Sequence, residues 1–537
     1  MRHPASAGRG AFLAALLLFT ALALFGQRYH WVEEAGTAER DGYVEQAEQL
    51  LHGSLPRDPF RPLLYPILAA GLAKVTGDPF AAARLLSNLA AAALAWLAYA
   101  HGRRLAGPAA GDWAMALAAA NPNLWIIGQH TTTDMLFAAF AAGALLAGLA
   151  YLEAADWQAA LAAGLALGLA AFTRANSLFL VPALLLAWWL APGARRRRLG
   201  HLAAAVIAWA AVLLPHWMLR ARLFGDPFYD ENWKNLAFKL HGFPDWSYLA
   251  RVPYRGALEI LAESPGAVLR GGIAELWRFA IGGGAAQLLG TWAHVALFAA
   301  GALWALHYRR HPAAWLLLAG GIFLAATAFA FFAWGRFLLL LLPPAYALAF
   351  APMAAVPPGS APAAPAGSPP KETAPEETAP ARPPALGQRR LRMLMTAVAL
   401  AAVAGLAVKT FAFRLPAFIA RHPYVEVATL RQLDRALPPG AALGGTSPFL
   451  GRYLHDRRYL ALPDAFGPEI AQPELYFEHL HRLLQSSRVA YLVIGAVDLR
   501  DRPPSLAAAP PAPSPAPWLI RAAAGRGATV WRVALQP

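Results

Sequence analysis

What most constrains this chain is a run of apolar stretches, near 11–26, 80–101, 112–129, 135–152, 158–172, 178–192, 200–219, 286–306, 313–333, 338–355 and 393–411. A helix needs about 20 predominantly apolar residues to cross a hydrocarbon core about 30 Å thick. Inside that core every backbone N–H and C=O must be satisfied internally, which leaves helices as the form these stretches can take. Of the 537 residues, 58% are apolar and 14% charged. The apolar helices are therefore the body of the protein and not an anchor on a soluble domain.

Arginine clusters orient the series. Arg103-Arg104, Arg195 to Arg198, Arg309-Arg310 and Arg389-Arg390 with Arg392 all fall on one side if the N-terminus is cytoplasmic. This places the 27–80 segment, Asp134, Arg174, the 220–285 loop, Arg336 and the C-terminal segment on the outer face. The net charge of +15 suggests nucleic-acid binding at first sight, but the excess arginine sits between apolar spans, where the positive-inside rule accounts for it. The absence of cysteine excludes disulfides, thiolate metal sites and a thiol nucleophile.

The first span is short enough to be a signal-peptide core, but the spans that follow favour an uncleaved helix. Within the outer 27–80 segment, 62–75 is apolar and too short to span, so it reads as a re-entrant or interfacial helix. A Pro/Ala/Glu-rich linker at 356–392 precedes the last span, 393–411. The final 412–537 segment mixes helical and strand-like runs and reads as a small α/β domain. The expected fold class is mainly α: a polytopic transmembrane helical bundle of about eleven spans, with a small extracytoplasmic α/β domain.

Ionisable residues beside membrane spans are costly to place and invite a functional reading. On the outer face these are Glu39, Asp41 and Asp134, with Arg61, Arg174, Arg336, Lys234 and His241. The first-loop segment from Tyr43 to Leu51 is helix-forming, with Tyr43, Ala47, Leu50 and Leu51 on one face and Asp41, Glu45 and Glu48 on another. Carboxylates beside guanidiniums can hold a phosphate and deprotonate a hydroxyl. Ordinary alternatives stand beside these readings. Asp41 and Asp134 suit helix N-caps, the arginines can snorkel to headgroups, and Tyr65 can be an interface anchor.

The chain resembles the GT-C glycosyltransferases, specifically the protein-mannosyltransferase-like and aminoarabinose-transferase-like group. The resemblance covers about residues 10–355. It rests on an acidic residue ahead of Tyr43-Val-Glu-Gln-Ala-Glu-Gln-Leu-Leu-His-Gly53, on Arg61-Pro-Leu-Leu-Tyr-Pro66, and on Ala83-Arg-Leu-Leu-Ser87. It continues in Thr133-Asp-Met-Leu-Phe137, in the glycine-rich span from Gly164 to Arg174, and in Arg336-Phe-Leu before Pro343. The 1–355 region would then be the catalytic membrane domain.

This resemblance implies sugar transfer from a polyprenyl-phosphate donor to a lipid, glycan or protein acceptor, at the outer face of a bacterial cytoplasmic membrane. It implies a first-loop carboxylate as general base, which is Asp41 or, four residues before Tyr43, Glu39. Asp134 matches the second acidic position of the family. Arg61, Arg174 and Arg336 match basic positions suited to the donor phosphate, with Lys234 and His241 as weaker candidates. Tyr43 and Tyr65 would face substrate. Some relatives hold a divalent metal, for which Asp41 and Asp134 would be the ligands here. A transporter or flippase for lipid-linked sugars, or a non-catalytic envelope assembly partner, is the competing class. No second copy of the first-loop pattern supports a transporter built of repeated halves.

Overall fold

A computed structural model describes residues 5–28, 42–56, 58, 61–241, 254–308, 310–353, 386–420, 432–437, 440–445, 458–462, 472–495, 506, 514–525 and 528–534. The chain opens with α1 (Ala5–Arg28), then α2 (Tyr43–Leu51), α3 (Leu64–Thr76) and α4 (Pro79–Ala106). Asp78 caps α4, accepting bonds from the Phe80 and Ala81 N–H groups at 3.1 and 3.0 Å. Proline at the first helical position suits that start, since its missing N–H is an orphan there in any case.

Helix α5 (Pro108–Ala120) and α6 (Pro122–Ile127) are one predicted span broken at Asn121-Pro122. Proline removes a helical donor and clashes with the preceding turn. Asn121 staples the break, donating to the Leu288 carbonyl at 2.9 Å and to the Tyr346 hydroxyl at 2.6 Å. Next come α7 (Asp134–Ala154) and α8 (Trp157–Thr173), followed by a 3-10 turn (Ala175–Leu180), α9 (Val181–Leu190) and α10 (Arg195–Phe224). Gly164 and Gly168 set the α8–α10 contact. A Cβ on Gly164 would collide with the Ala205 backbone, and one on Gly168 with the Val212 side chain. Small residues allow two membrane helices to approach this closely.

The long loop after α10 holds α11 (Lys234–His241), α12 (Ala257–Glu263) and α13 (Pro265–Ala280). The bundle then continues with α14 (Gly284–Leu289), α15 (Trp292–Tyr308) and α16 (Arg310–Ala330). A second 3-10 turn (Gly335–Leu341) leads into α17 (Leu342–Ala349). Helix α18 (Leu386–Val408) passes through a π-helical turn into α19 (Leu415–Ala420). It begins several residues before the expected end of the linker, most of which lies outside the described residues.

Among the described residues, seven helical segments are long and apolar enough to cross a membrane. The other four expected spans correspond to the broken α5–α6, to α8 and α15, and to the 3-10 turn with α9. One large apolar core, including Tyr65, Phe80, Phe137, Trp315 and Tyr346, joins most of the membrane helices.

The C-terminal segment holds β1 (Ala442–Gly445), β2 (Tyr459–Ala461), α20 (Pro473–Ser486), β3 (Val489–Gly495), β4 (Leu519–Gly525) and β5 (Ala528–Val533). The strands order as β2-β1-β3-β5-β4. The first three are parallel, and β5 runs antiparallel to both β3 and β4, with Leu492 opposite Trp531. Tyr476, Leu480 and Leu484 of α20 pack into the same core as Leu492 and Trp531. This is the expected α/β unit. The expected helix at 425–437 lies largely outside the described residues.

Candidate active site

The site is built around the first residue of α7. Thr131, Thr132, Thr133 and Asp134 are all buried, Asp134 to 1% exposure. A carboxylate suits a helix N-terminus, where unpaired N–H groups carry partial positive charge. Thr132 Oγ1 donates to Asp134 Oδ2 at 2.8 Å. Arg174 Nη1 donates to Oδ1 and closes an ion pair with it. Arg336 Nη1 lies 4.0 Å from Oδ2.

The two arginines reach this carboxylate from equivalent places in the fold. Arg174 stands in extended conformation just before the first 3-10 turn, and Arg336 is the second residue of the other. Each turn follows a chain reversal outside the bundle and leads back into it. Phe337, 2% exposed, packs beside both guanidiniums. Its ring centroid is 4.7 Å from the guanidinium carbon of each arginine. A guanidinium within about 6 Å of an aromatic face is attracted by the ring quadrupole. One carboxylate and one ring thus brace two like charges that would otherwise repel.

The segment between α1 and α4 closes the other side. The Tyr43 hydroxyl is 3.2 Å from Thr133 Oγ1, and the Tyr65 ring packs edge-on against Tyr43 with centroids 5.6 Å apart. The Arg61 guanidinium carbon lies 5.8 Å from the Tyr43 ring. Asp58 fixes Arg61, accepting its side chain at 2.9 Å and its backbone N–H at 3.0 Å. The same carboxylate takes Gln46 Nε2 at 2.7 Å. From α10, Arg220 donates to the Asp58 carbonyl at 2.8 Å and to the Arg61 carbonyl at 3.3 Å. The segment is thereby tied to the bundle at both its helix and its exit.

These parts enclose a cavity of about 590 Å³. Arg61, Arg174, Arg336 and Tyr43 line it, with Leu178, Phe179, Leu236, Ala330 and Phe331 as apolar wall and Asn176, Asn232, Asn235 and Thr327 as neutral polar wall. A pocket with a few convergent charges on a largely apolar lining is the general form of a small-molecule site. This one suits an anion attached to an apolar tail.

Residues 60–218 match the family model for dolichyl-phosphate-mannose-protein mannosyltransferase. Among solved structures, ArnT from Cupriavidus metallidurans in the apo state aligns at a TM-score of 0.53 and 16% identity, over 98% of this chain and 99% of that one. The Archaeoglobus fulgidus oligosaccharyltransferase in the apo form aligns at 0.55 and 13% identity, over 91% of this chain and 69% of that one. The chain has a GT-C glycosyltransferase fold. A comparison with curated protein sequences gives no match. With this fold and its apolar helices, the protein is a multi-pass membrane protein.

Within the GT-C fold, several expected site residues stand differently from the sequence reading. Tyr65 does not face a ligand: it is fully buried, and its hydroxyl donates to the Ala83 carbonyl at 2.7 Å and sits 2.9 Å from Ser87 Oγ. Lys234 does not line the cavity, although its neighbours Trp233 and Asn235 do. Its ammonium is paired with Glu231 at 2.9 Å. Asp134 does not line the cavity either; its carboxylate lies behind the arginines it holds. His241 ends α11, and its side chain lies outside the described residues, as do Glu39 and Asp41. The N-cap of α2 is Gly42, in left-handed conformation at φ 67°, so the capping position falls one residue after Asp41.

Of the two expected metal ligands, Asp41 and Asp134, only Asp134 is among the described residues. Its two oxygens are occupied by Arg174 and Thr132, with Arg336 close by. No group of three His, Asp or Glu residues that could hold a metal occurs among the described residues. Asp58, Thr132, Phe337 and the lining asparagines went unrecognised in the sequence. Phe337 follows Arg336 directly and Asn176 follows Arg174 by two, so their nearness was the one available signal.

Proposed function

We propose that the protein transfers a sugar from a polyprenyl-phosphate donor to an acceptor hydroxyl or amine at the outer face of a bacterial cytoplasmic membrane. The observation that carries this reading is the convergence of Arg61, Arg174 and Arg336, from three distant parts of the chain, on one cavity with an apolar wall. In this reading the N-terminus is cytoplasmic and the C-terminal domain extracytoplasmic. The acceptor is a lipid, glycan or protein.

The donor is a phosphodiester with one negative charge. Arg174 and Arg336 against Asp134 leave one net positive charge, which balances it. As the bond between the anomeric carbon and the phosphate oxygen breaks, the electron pair leaves with the phosphate. The departing monoester gains negative charge, and the two guanidiniums stabilise that charge most in the transition state. The acceptor oxygen or nitrogen attacks the anomeric carbon from the opposite face and inverts it. Asp41 takes the acceptor's proton, with Glu39 as the alternative base. Arg61 with Tyr43 forms the loop-side wall, and the Leu178, Phe179 and Phe331 side takes the start of the isoprenoid. Asp134 is a positioning residue that orients both arginines.

The test is mass spectrometry of envelope glycolipids and glycoproteins from cells carrying the wild-type gene, Asp41→Asn or Glu39→Gln. A product present with wild type and lost in Asp41→Asn, at equal expression, supports the reading. Retention in Asp41→Asn with loss in Glu39→Gln moves the base to Glu39. Identical glycans with and without the gene contradict glycosyl transfer.

A further inference from the structure

Helix α13 turns apolar side chains outward and an acid inward. Leu269, Ile273 and Trp277 are exposed, whereas Val268, Gly272 and Glu275, at i, i+4 and i+7, are buried. Gly272 allows the close approach to α16, since a Cβ there would collide with the Phe329 ring. A carboxylate taken out of water costs free energy unless its oxygens find partners. Both oxygens of Glu275 have one. Oε1 accepts from Arg278 Nη1, and Oε2 accepts the Ala333 backbone N–H at 3.2 Å.

That N–H belongs to the segment that carries Arg336. Helix α16 ends with the Phe331 N–H bonded to the Thr327 carbonyl at 2.8 Å, and the second 3-10 turn starts with the Phe337 N–H bonded to the Trp334 carbonyl at 3.0 Å. Between them the chain is extended at Trp334, with φ −77° and ψ 144°. The Glu275 bond falls in this gap, three residues before Arg336. From α11, Lys239 Nζ donates to the Ala328 carbonyl and ties the end of α16 to the same loop. Asp134 bonds Arg174 directly but stands 4.0 Å from Arg336. The place of Arg336 therefore depends more on where its backbone is held.

We propose that Glu275 is a positioning residue for the donor phosphate: it holds the Ala333 N–H, and through it sets where the Arg336 guanidinium stands in the cavity. This rests on the transfer reading above and adds to it a residue that does not line the cavity. The bond to the backbone, more than the charge, carries the effect. The Arg278 side chain is 62% exposed, and an ion pair open to water contributes little. A displacement of about 1 Å, caused by a change remote from the ligand, is enough to remove much of a site's effect.

The experiment measures the dissociation constant of a short-chain polyprenyl phosphate, by ligand-induced thermal stabilisation, for the purified full-length protein in detergent. Glu275→Ala should weaken binding about tenfold. In an Arg336→Ala background the same change should cost less than about twofold more, whereas in an Arg174→Ala background the full loss should recur. A residue that only stabilises the fold would weaken binding alike in both backgrounds. Two further variants separate reach from charge and stand in if Glu275→Ala does not fold. Glu275→Gln keeps an oxygen at the Ala333 N–H and should bind within about threefold of wild type. Glu275→Asp keeps the charge but is one methylene short, and should lose about as much as Glu275→Ala. Wild-type affinity in Glu275→Ala, equal loss in both arginine backgrounds, or loss in Glu275→Gln with none in Glu275→Asp overturns the inference and leaves the phosphate site standing. Binding that does not weaken in Arg336→Ala removes Arg336 from the clamp, and the inference with it. Failure of the wild-type protein to bind the lipid phosphate overturns the transfer reading and the inference together.

Discussion

The Arg174 guanidinium closes an ion pair with the buried Asp134 carboxylate, forty positions earlier in the chain. Asp134 is 1% exposed and Arg174 partly open to the cavity, so the acid is the fixed member and the base the working one. Replacing Asp134 with Asn keeps the shape and removes the charge that holds both arginines. The expected outcome is destabilisation of about 1–3 kcal/mol and a fall of more than tenfold in transfer, since an unmade charged bond at a buried group costs that much. Thermal unfolding in detergent and donor turnover in membranes check it.

Lysine cannot replace either clamp arginine. Arginine presents a planar fork that matches two phosphate oxygens, whereas lysine is a single point charge. Arg174→Lys and Arg336→Lys should each raise the donor KM about tenfold despite preserving charge. A steady-state titration with a defined lipid-linked donor reads this, and wild-type KM in both lysine variants would remove the clamp from the mechanism.

Phe337 supplies the shared face for both guanidiniums at 4.7 Å. Phe337→Leu keeps the apolar volume and removes the ring. With each of the two cation–π contacts worth about 0.5–1 kcal/mol, donor affinity should fall about five- to thirtyfold. Phe337→Tyr, which keeps the ring, should restore it. Equal loss in both variants would reduce the role of Phe337 to packing.

How much of this could be read in advance depends on where the information lies. Hydropathy is local along the chain, so the apolar helices were legible. The Asn121-Pro122 break was legible for the same reason, because proline acts on its own turn. Asp58 was not, because its partners Gln46, Arg61 and Arg220 meet only after α2, the loop and α10 are assembled. Tyr65 was misread because an interfacial tyrosine in a loop motif looks the same in sequence whether its hydroxyl faces water or the Ala83 carbonyl. Asp134 looked like a chemical group because its setting, behind two arginines from distant turns, is a tertiary fact.

Asp58 is a latch on the segment between α1 and α4. Asp58→Ala releases Gln46 and the Arg61 guanidinium together. Limited proteolysis should then cut between α2 and α3 at least several-fold faster, while the Arg220 bonds to backbone carbonyls remain. Asp58→Asn keeps one oxygen to accept from Gln46 and the Arg61 guanidinium but turns an NH2 toward the Arg61 N–H, so it should fall between wild type and Asp58→Ala. Equal cleavage of all three proteins would show that the segment is held by other contacts.

Gly164 and Gly168 set the distance between α8 and α10. Gly168→Val places two methyl groups against Val212. Overpacking of this kind costs about 1–3 kcal/mol, so the unfolding temperature in detergent should drop clearly. An unchanged unfolding temperature would mean that the two helices are free to separate.

The most direct measurement of the central claim is a cryo-electron microscopy structure of the full-length protein with a polyprenyl phosphate bound. The account predicts the phosphate within hydrogen-bond reach of both Arg174 and Arg336, with the isoprenoid leaving along the Leu178, Phe179 and Phe331 wall. A lipid phosphate held elsewhere on the protein, with Arg174 and Arg336 making no contact to it, would contradict it.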